Sequence, residues 1–329
     1  MDIPQLLRRL QADKTSGAST LLDLAVDILE AFTAQAPEQH TQDLHQALEA
    51  LVDALLTAQP SMAPCINLAH QALAACPAGL APSTARQQLQ QALTAFRQHA
   101  RQSTAALCRQ TLAILPPQAT VLTYSNSSTV VSALRYAHKH GHIRRVLLSE
   151  SRPAYDGRLQ AMALLEHGIE VEYGIDMALF DRLPDAQVVL VGADAVFPHG
   201  LVNKLGTHPL AQIARFHHMP IFSLCTSSKF LPTAAAPLVR FVEHPTQEVW
   251  PNAPPDVHIR NRYFDTTPLP LFSGIISEHG VYAPMALGAH LQQRELAPAL
   301  LRLATGRAAS NEHGVLAADR LFLERLEQR

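Results

Sequence analysis

From Pro117 onward, short apolar, β-rich runs alternate with stretches of helical periodicity, and this alternation restricts the fold more than any other feature of the chain. Val121-Leu122-Thr123 precedes a helical stretch from about Thr129 to His140. Val146-Leu147-Leu148 precedes one from about Gly157 to His167, and Val171 to Ile175 leads into a short one. Val188 to Val191 runs into Gly192-Ala193-Asp194, with a helix from about His208. Ile221 to Leu224 and Leu238 to Val242 complete the expected strands. Strands separated by helices make βαβ units and therefore a parallel sheet. The runs are continuously apolar, as in strands covered on both faces. The expected fold class is α/β, a Rossmann-like parallel sheet domain preceded by a helical N-terminal domain.

The helical part comes first. Leu6, Leu7 and Leu10 share a face, and Ser16-Gly17-Ala18-Ser19 interrupts it. Leu21, Leu22, Leu24, Ala25, Ile28 and Leu29 resume helical spacing, and Leu44, Leu48, Leu51 and Leu55 repeat it. Ser83 to Leu115 reads as one long helix with Ser83 as N-cap and Pro116-Pro117 as its stop. The expected division is a helical domain over 1–116, a Rossmann-like domain over 117–284 and a helical tail over 285–329.

A length of 329 residues accommodates about two domains, and 47 % hydrophobic residues supply a substantial core. A net charge of −2 argues against a nucleic-acid binder, which would carry a basic excess. No apolar stretch approaches the roughly 18 residues of a membrane span, so no membrane partner is expected. Cys65, Cys76, Cys108 and Cys225 form no C-x-x-C pair. No signal peptide is visible, and a cytoplasmic protein with reduced thiols is expected. His138, His140 and His142, like His217 and His218, lack zinc spacing and read as solvated groups near helix ends, so no metal is expected. Neither G-x-G-x-x-G nor G-x-x-x-x-G-K-[ST] occurs, and no cofactor is expected.

In an open parallel sheet, ligands bind outside the carboxyl ends of the strands. The polar residues there are Tyr124 to Ser128, Glu150-Ser151-Arg152, Asp176, Asp194 and Thr226 to Lys229. Hydroxyls, amides and cations beside helix N-termini suit a phosphorylated polyol. Only four lysines exist, Lys14, Lys139, Lys204 and Lys229, and two follow strands. Lys204 is bracketed by glycines and flanked by apolar residues in Gly200-Leu201-Val202-Asn203-Lys204-Leu205-Gly206-Thr207, an odd place for a charge that only aids solubility. Arg152 and Arg158 flank Pro153 and Gly157, where a guanidinium could fork onto phosphate. The candidate phosphate-binding residues are Arg152, Arg158, Asn203, Lys204 and Lys229, with Ser127, Ser128 and Thr226 as hydroxyl donors.

The segments LTYSNSSTV, SESRPAYDGR, VGADAVFPHGLVNKLGTHPLA, CTSSKF and NRYFDTTPLPLFSGIISEHGVYAP carry a resemblance. Together they resemble the family that joins methylthioribose-1-phosphate isomerase, ribose-1,5-bisphosphate isomerase and the α, β and δ subunits of initiation factor 2B. The resemblance covers roughly 117–284, with weaker similarity at ADKTSGAS and QPSMAP. It implies a dimer and a metal-free aldose–ketose isomerisation that uses a cysteine after the first strand and an aspartate in the GAD motif. The aspartate matches Asp194, and the cysteine position holds Ser125. The usual NG is His199-Gly200, and the N-terminal arginine region reads Lys14-Thr15-Ser16-Gly17-Ala18.

Three functions stay open at this point. One is a phosphosugar isomerase with Asp194 and Ser125 as its catalytic pair. Another is a catalytically silent sensor of a phosphorylated sugar or nucleoside monophosphate, within an initiation factor 2B-like assembly. The third, a structural oligomerisation module, leaves the cluster of polar strand ends unexplained. Asp194 also reads as a loop anchor, and Ser125 as a cap or phosphate ligand. Cys225 reads either as a substitute thiol or as a buried small hydrophobe. A homodimer is expected from the resemblance and from the apolar NRYFDTTPLPLF segment.

Overall fold

The computed structural model describes residues 2–13, 18–35, 41–60 and 62–309. Two compact units emerge: 1–102 with 228–240 and 291–329, and 103–227 with 241–290.

The first unit begins with helices α1 (Ile3–Ala12), α2 (Ala18–Gln35), α3 (Thr41–Ala58) and α4 (Ala63–Ala75). Helix α5 (Pro82–Ile114) belongs to this unit up to Gln102 and to the other from Ser103. The helical spacing of leucines is realised as burial: Leu10, Ile28, Leu29, Leu44, Leu48 and Leu55 are all inside. Ser83 is not the N-cap of α5. Pro82 already occupies the first helical position, where its fixed φ suits the start, and the Ala81 carbonyl accepts the first helical bond from Ala85.

The second unit follows with β1 (Ala119–Thr123), α6 (Ser128–Lys139), β2 (Ile143–Ser149), α7 (Asp156–Leu165), β3 (Glu170–Gly174) and α8 (Ala178–Asp181). Then come β4 (Val188–Val191), β5 (Ala195–Val196), β6 (Gly200–Lys204), α9 (Thr207–Phe216) and β7 (Ile221–Leu224). Then come β8 (Phe264–Pro268), β9 (Gly274–Ser277), β10 (Gly280–Tyr282) and α10 (Pro284–Gln292), while α11 (Pro298–Ala309), the last described element, is counted with the first unit. A seven-stranded sheet runs in the order β10-β9-β7-β4-β1-β2-β3, parallel throughout except for β10 against β9. β1 and β4 are buried along their whole length, as their apolar runs require. Val130, Leu134 and Ala137 of α6 pack over β1 and β2 in a core shared with Leu107, Val121, Val146 and Leu164.

One expected strand does not form. Leu238–Val242 is not a strand. Pro237 lies inside a tight turn, the Val239 amide donates back to the Ala236 carbonyl, and the Arg240 amide donates to Pro60. Proline cannot donate to a ladder, and the next strand of the sheet is β9. Between Asp194 and α9 the chain makes a hairpin, β5–β6, which joins β8 in a separate antiparallel sheet.

The loop from β2 to α7 allows no side chain at its pivot. A methyl group at Gly157 would stand 1.7 Å from the Ser149 carbonyl oxygen. Gly157→Ala should therefore destabilise the protein by about 3 kcal/mol, the upper range for overpacking. Urea denaturation would read this, and an unchanged midpoint would show that the loop relaxes freely.

Candidate functional site

The sheet places β2 on one side of β1 and β4 on the other, so the connections after β1 and β4 open a crevice at their carboxyl ends. The turn after β1 enters α6 through Ser127, whose hydroxyl accepts from the Val130 amide at 3.4 Å. The Ser127 amide donates to Gln160 Oε1 at 2.9 Å, and Gln160 Nε2 donates to Thr123 Oγ1 at 3.1 Å. Gln160 is wholly buried, so this bridge fixes the helix entry from below. Ser125 is buried in the left-handed region with φ 66°, and its amide donates to Ser151 Oγ at 2.9 Å. Ser128 opens α6 and is exposed.

The loop after β2 is shaped by one carboxylate. Asp176 accepts from Ser149 Oγ at 2.7 Å, from the Ser151 amide at 2.7 Å and from the Arg152 amide at 2.8 Å. Ser151 and Tyr155 are left-handed, with φ 57° and 59°. Non-glycine residues in this region are uncommon, and with Ser125 three of them gather at the two strand ends. The Arg152 and Arg158 guanidiniums lie 4.8 and 4.0 Å from the Tyr155 ring centroid. Arg152 Nη2 also donates to the Val249 carbonyl at 2.9 Å.

The end of β4 closes the crevice. A methyl group at Gly192 would lie 2.7 Å from Ser127 Oγ and 3.8 Å from Asn203 Oδ1, so the first and fourth strand ends and β6 meet there. Asp194 is half-buried, and its amide donates to the Val202 carbonyl at 2.8 Å. Asn203 Nδ2 donates to Thr207 Oγ1 at 3.0 Å, and Thr207 Oγ1 donates to the Lys204 carbonyl at 2.7 Å. The Lys204 side chain is 5 % exposed; its ammonium pairs with Asp156 and lies 4.4 Å from the Tyr263 ring centroid.

Asp265, opposite Asn203 in the β6–β8 pair, accepts from the Gly206 and His208 amides at 2.8 and 3.2 Å. Burial pushes its carboxyl up to about 6, although those two amides pull the other way. The Tyr124 hydroxyl donates to the Leu205 carbonyl at 2.7 Å. Burial, followed by the charges of Asp176, Asp265 and Asp156, holds that phenol above its ordinary value.

Of the residues singled out in the sequence, Ser125, Ser127, Arg152, Asp194, Asn203 and Lys204 stand on the strand ends and loops just described, and Arg158 in the first turn of α7. Thr226 follows β7 and is half-buried. Lys229 is counted with the first unit, between the Ser228 and Phe230 carbonyls that Asn67 Nδ2 bonds at 2.7 and 3.0 Å. Cys225 is fully buried, its amide donating to the Ile276 carbonyl at 3.0 Å. The Lys14–Gly17 stretch lies outside the described residues. Sequence reasoning missed Asp156, Gln160, Tyr263 and Asp265. Only Asp156 carried a signal, as the acidic first residue of a helix two positions before Arg158.

Asp265 binds its proton more tightly in the folded chain than at its ordinary value of 3.8. Its contribution therefore makes stability fall as pH rises from about 4 to about 6. Asp265→Asn keeps an oxygen acceptor for the two amides but cannot titrate. Relative to the native protein, the variant should gain up to ~3 kcal/mol between those limits. Urea midpoints from pH 4 to pH 7 would measure the difference; parallel curves would place the Asp265 titration elsewhere.

The model of the initiation factor 2 subunit family matches residues 14–284. The chain is 34 % identical over 169 residues to the ribose 1,5-bisphosphate isomerase of Methanocaldococcus jannaschii, covering 50 % of this chain and 55 % of that protein. It thus spans about half the length of that relative. It is 31 % identical over 287 residues to the translation initiation factor eIF-2B subunit 2-like protein of Pyrococcus horikoshii, covering 85 % of this chain and 96 % of that one. The crystal structure of Pyrococcus horikoshii eIF-2B superposes with a TM-score of 0.73 at 27 % identity, over 86 % of this chain and 97 % of that chain. The helical N-terminal part and the mainly parallel sheet agree with that structure, and the chain belongs to the initiation factor 2 subunit family.

Proposed function

We propose that the second unit binds a phosphorylated sugar in the crevice between β1 and β4, at an isomerase-type site whose chemistry is curtailed by Ser125. The buried Lys204 ammonium carries this reading. A lysine that is 5 % exposed is rarely a solubility charge, and here it ends β6, next to the Leu205 carbonyl that the Tyr124 hydroxyl bonds just after β1. Arg152 and the hydroxyls of Ser127 and Ser128 supply further donors, and the first-turn amides of α6 favour an anion. Arg158 is exposed and serves a phosphate at the rim. Lys229 and Thr226 remain candidates for the same ligand class. A nucleoside monophosphate shares the phosphate chemistry and competes as ligand.

Shifting a hydrogen from C2 to C1 of an aldose 1-phosphate needs one group to take a proton and one to give it. Asp194 fills one of these roles in the reading. Ser125 is a weak second partner, because a hydroxyl is far less acidic than a thiol. Among the described residues, no histidine or carboxylate bonds its side chain. Binding without rapid turnover follows, which is the behaviour of a sensor. Thermal shift with ribose 1,5-bisphosphate, methylthioribose 1-phosphate, hexose phosphates and nucleoside monophosphates tests the binding. Steady-state assays of the native protein, Ser125→Cys and Cys225→Ser test the chemistry. The native protein should turn over slowly and Ser125→Cys should gain about tenfold or more. Rapid native turnover that survives Cys225→Ser would overturn the sensor reading.

We infer further that the protein pairs with a second copy. The apolar NRYFDTTPLPLF segment no longer argues for this, since it forms β8 and the following turn within its own unit, with Thr267, Leu269 and Phe272 buried. The argument moves to α7 and the edge strand β3. Leu159, Met162, Leu165, Tyr173, Ile175 and Met177 are exposed there, more apolar surface than a monomer usually leaves on one edge. Sedimentation at micromolar concentration should give a dimer, and Met162→Glu should shift it toward monomer. A native monomer sinks the idea.

A further inference from the structure

The segment 243–263 meets both cations assigned to the ligand. His244 stacks on the Tyr263 ring with centroids 3.5 Å apart and planes 5° from parallel. A ring packed that closely on one face leaves its other face for Lys204, 4.4 Å from the centroid. The Tyr263 hydroxyl donates to Glu248, which also accepts from Asn261 Nδ2 at 2.8 Å. The Tyr263 carbonyl accepts from the Leu205 amide at 2.7 Å, next to Lys204 in the chain. Ring, hydroxyl and backbone of Tyr263 are therefore all held. Next to Glu248, the Val249 carbonyl takes the Arg152 guanidinium at 2.9 Å.

We propose that Tyr263 is the positioning residue of the crevice, presenting the Lys204 ammonium to the ligand phosphate, with Arg152 shared between that phosphate and the Val249 carbonyl. This deepens the phosphate-site reading above and rests on it. A lysine ammonium is a point charge on a flexible four-carbon stem. With Asp156 as its only fixed partner it would collapse onto the carboxylate and offer little to an anion. An aromatic face attracts the cation without neutralising it. Tyr263 thus divides the ammonium between two partners and leaves charge for a third. Glu248 keeps the ring at its angle. Burial alone would push its carboxyl up, but the hydrogen bonds from Tyr263 and Asn261 and the nearby His244 and Lys204 hold it below its ordinary value.

Arg152 gives the segment a second link to the ligand. When its guanidinium turns to phosphate, the Val249 carbonyl loses or shares its donor. Trp250 is the only tryptophan of the chain, adjoins Val249 and is half exposed. It reports that exchange without a label.

The test uses the full chain and ribose 1,5-bisphosphate, with isothermal titration, Trp250 fluorescence and thermal melting on the same samples. Tyr263→Phe keeps the ring and should bind within about threefold of the native protein. Tyr263→Met keeps the bulk and loses the aromatic face. It should bind about tenfold more weakly, the scale of one buried cation–π contact. His244→Ala removes the stacked partner, at a half-exposed position, while leaving the Tyr263 ring in place, and should weaken binding about threefold if Tyr263→Met fails to fold. Trp250 emission should change on saturation of the native protein and stay unchanged in Arg152→Gln. Native affinity in both Tyr263→Met and His244→Ala would overturn the positioning role alone. Equal losses in Tyr263→Phe and Tyr263→Met, matched by equal drops in melting temperature, would reduce Tyr263 to a structural residue. No binding of the probe or of inorganic phosphate to the native protein would remove the phosphate-site reading, and this inference with it.

Discussion

Strand β1 has a neighbour on each side whose connection leaves in the opposite direction, and much of the second unit is arranged around that fact. A parallel sheet that reverses its winding at one strand leaves a gap between the flanking loops. Here the gap is bounded by the turn 124–127, the loop 150–155 and Gly192. The three cannot move independently. Ser125 is bonded to Ser151, Ser151 to Asp176, and Ser127 stands against Gly192 closely enough to forbid a side chain there.

Such a site is built at the cost of buried polar groups, which must be satisfied within the protein. Ser149, Ser151 and Gln160 have no exposed surface, and each is bonded. Asp176 alone satisfies two amides and a hydroxyl of the loop that bends back toward Gly157. Cationic side chains were then added to a framework already held by neutral and anionic groups. Lys204 leans on Asp156 and Tyr263, and Arg152 on Tyr155 and Val249. None of these cations helps to hold the loop after β1, so their charge can be spent on a ligand.

The parts that were legible in the sequence are those governed by periodicity and by the ends of apolar runs. Val121, Val146 and Val188 lie in strands because continuous apolar runs have no other stable place in an α/β unit. Ser127 and Arg152 were visible because they follow such runs, and Lys204 because glycines bracket it and apolar residues flank it. The β5–β6 hairpin was not, since Ala195-Val196 is only two residues long and its partner strand β8 lies sixty residues on. Leu238 to Val242 misled because local composition resembles a strand, while Pro237 and a bond to Pro60 settle the geometry. Tyr263 and Asp265 were hidden for the same reason as the hairpin: each reaches the crevice by long-range pairing of β8 with β6. The apolar composition of their segment read as a dimer contact, and their polar ends gave no local signal.

Residue 125 separates framework from chemistry. Its place is fixed by its backbone: a left-handed φ, and an amide bonded to a serine on the next loop. The side chain takes no part in that fixation. A thiol and a hydroxyl differ in size only by the radius of one atom at a single buried position, and neither alters the backbone bond that fixes it. They differ greatly in acidity, because an ordinary thiol titrates near 8.5 and a helix N-terminus lowers it further. The α6 N-terminus would act in that way on a thiol at this turn, but it cannot bring an aliphatic hydroxyl into the same range. In the proposed site, phosphate contacts from Lys204, Arg152 and the helix amides would not depend on that acidity. Under that proposal a serine at this point removes proton transfer before it removes affinity, and the bound ligand would act as a signal instead of a substrate.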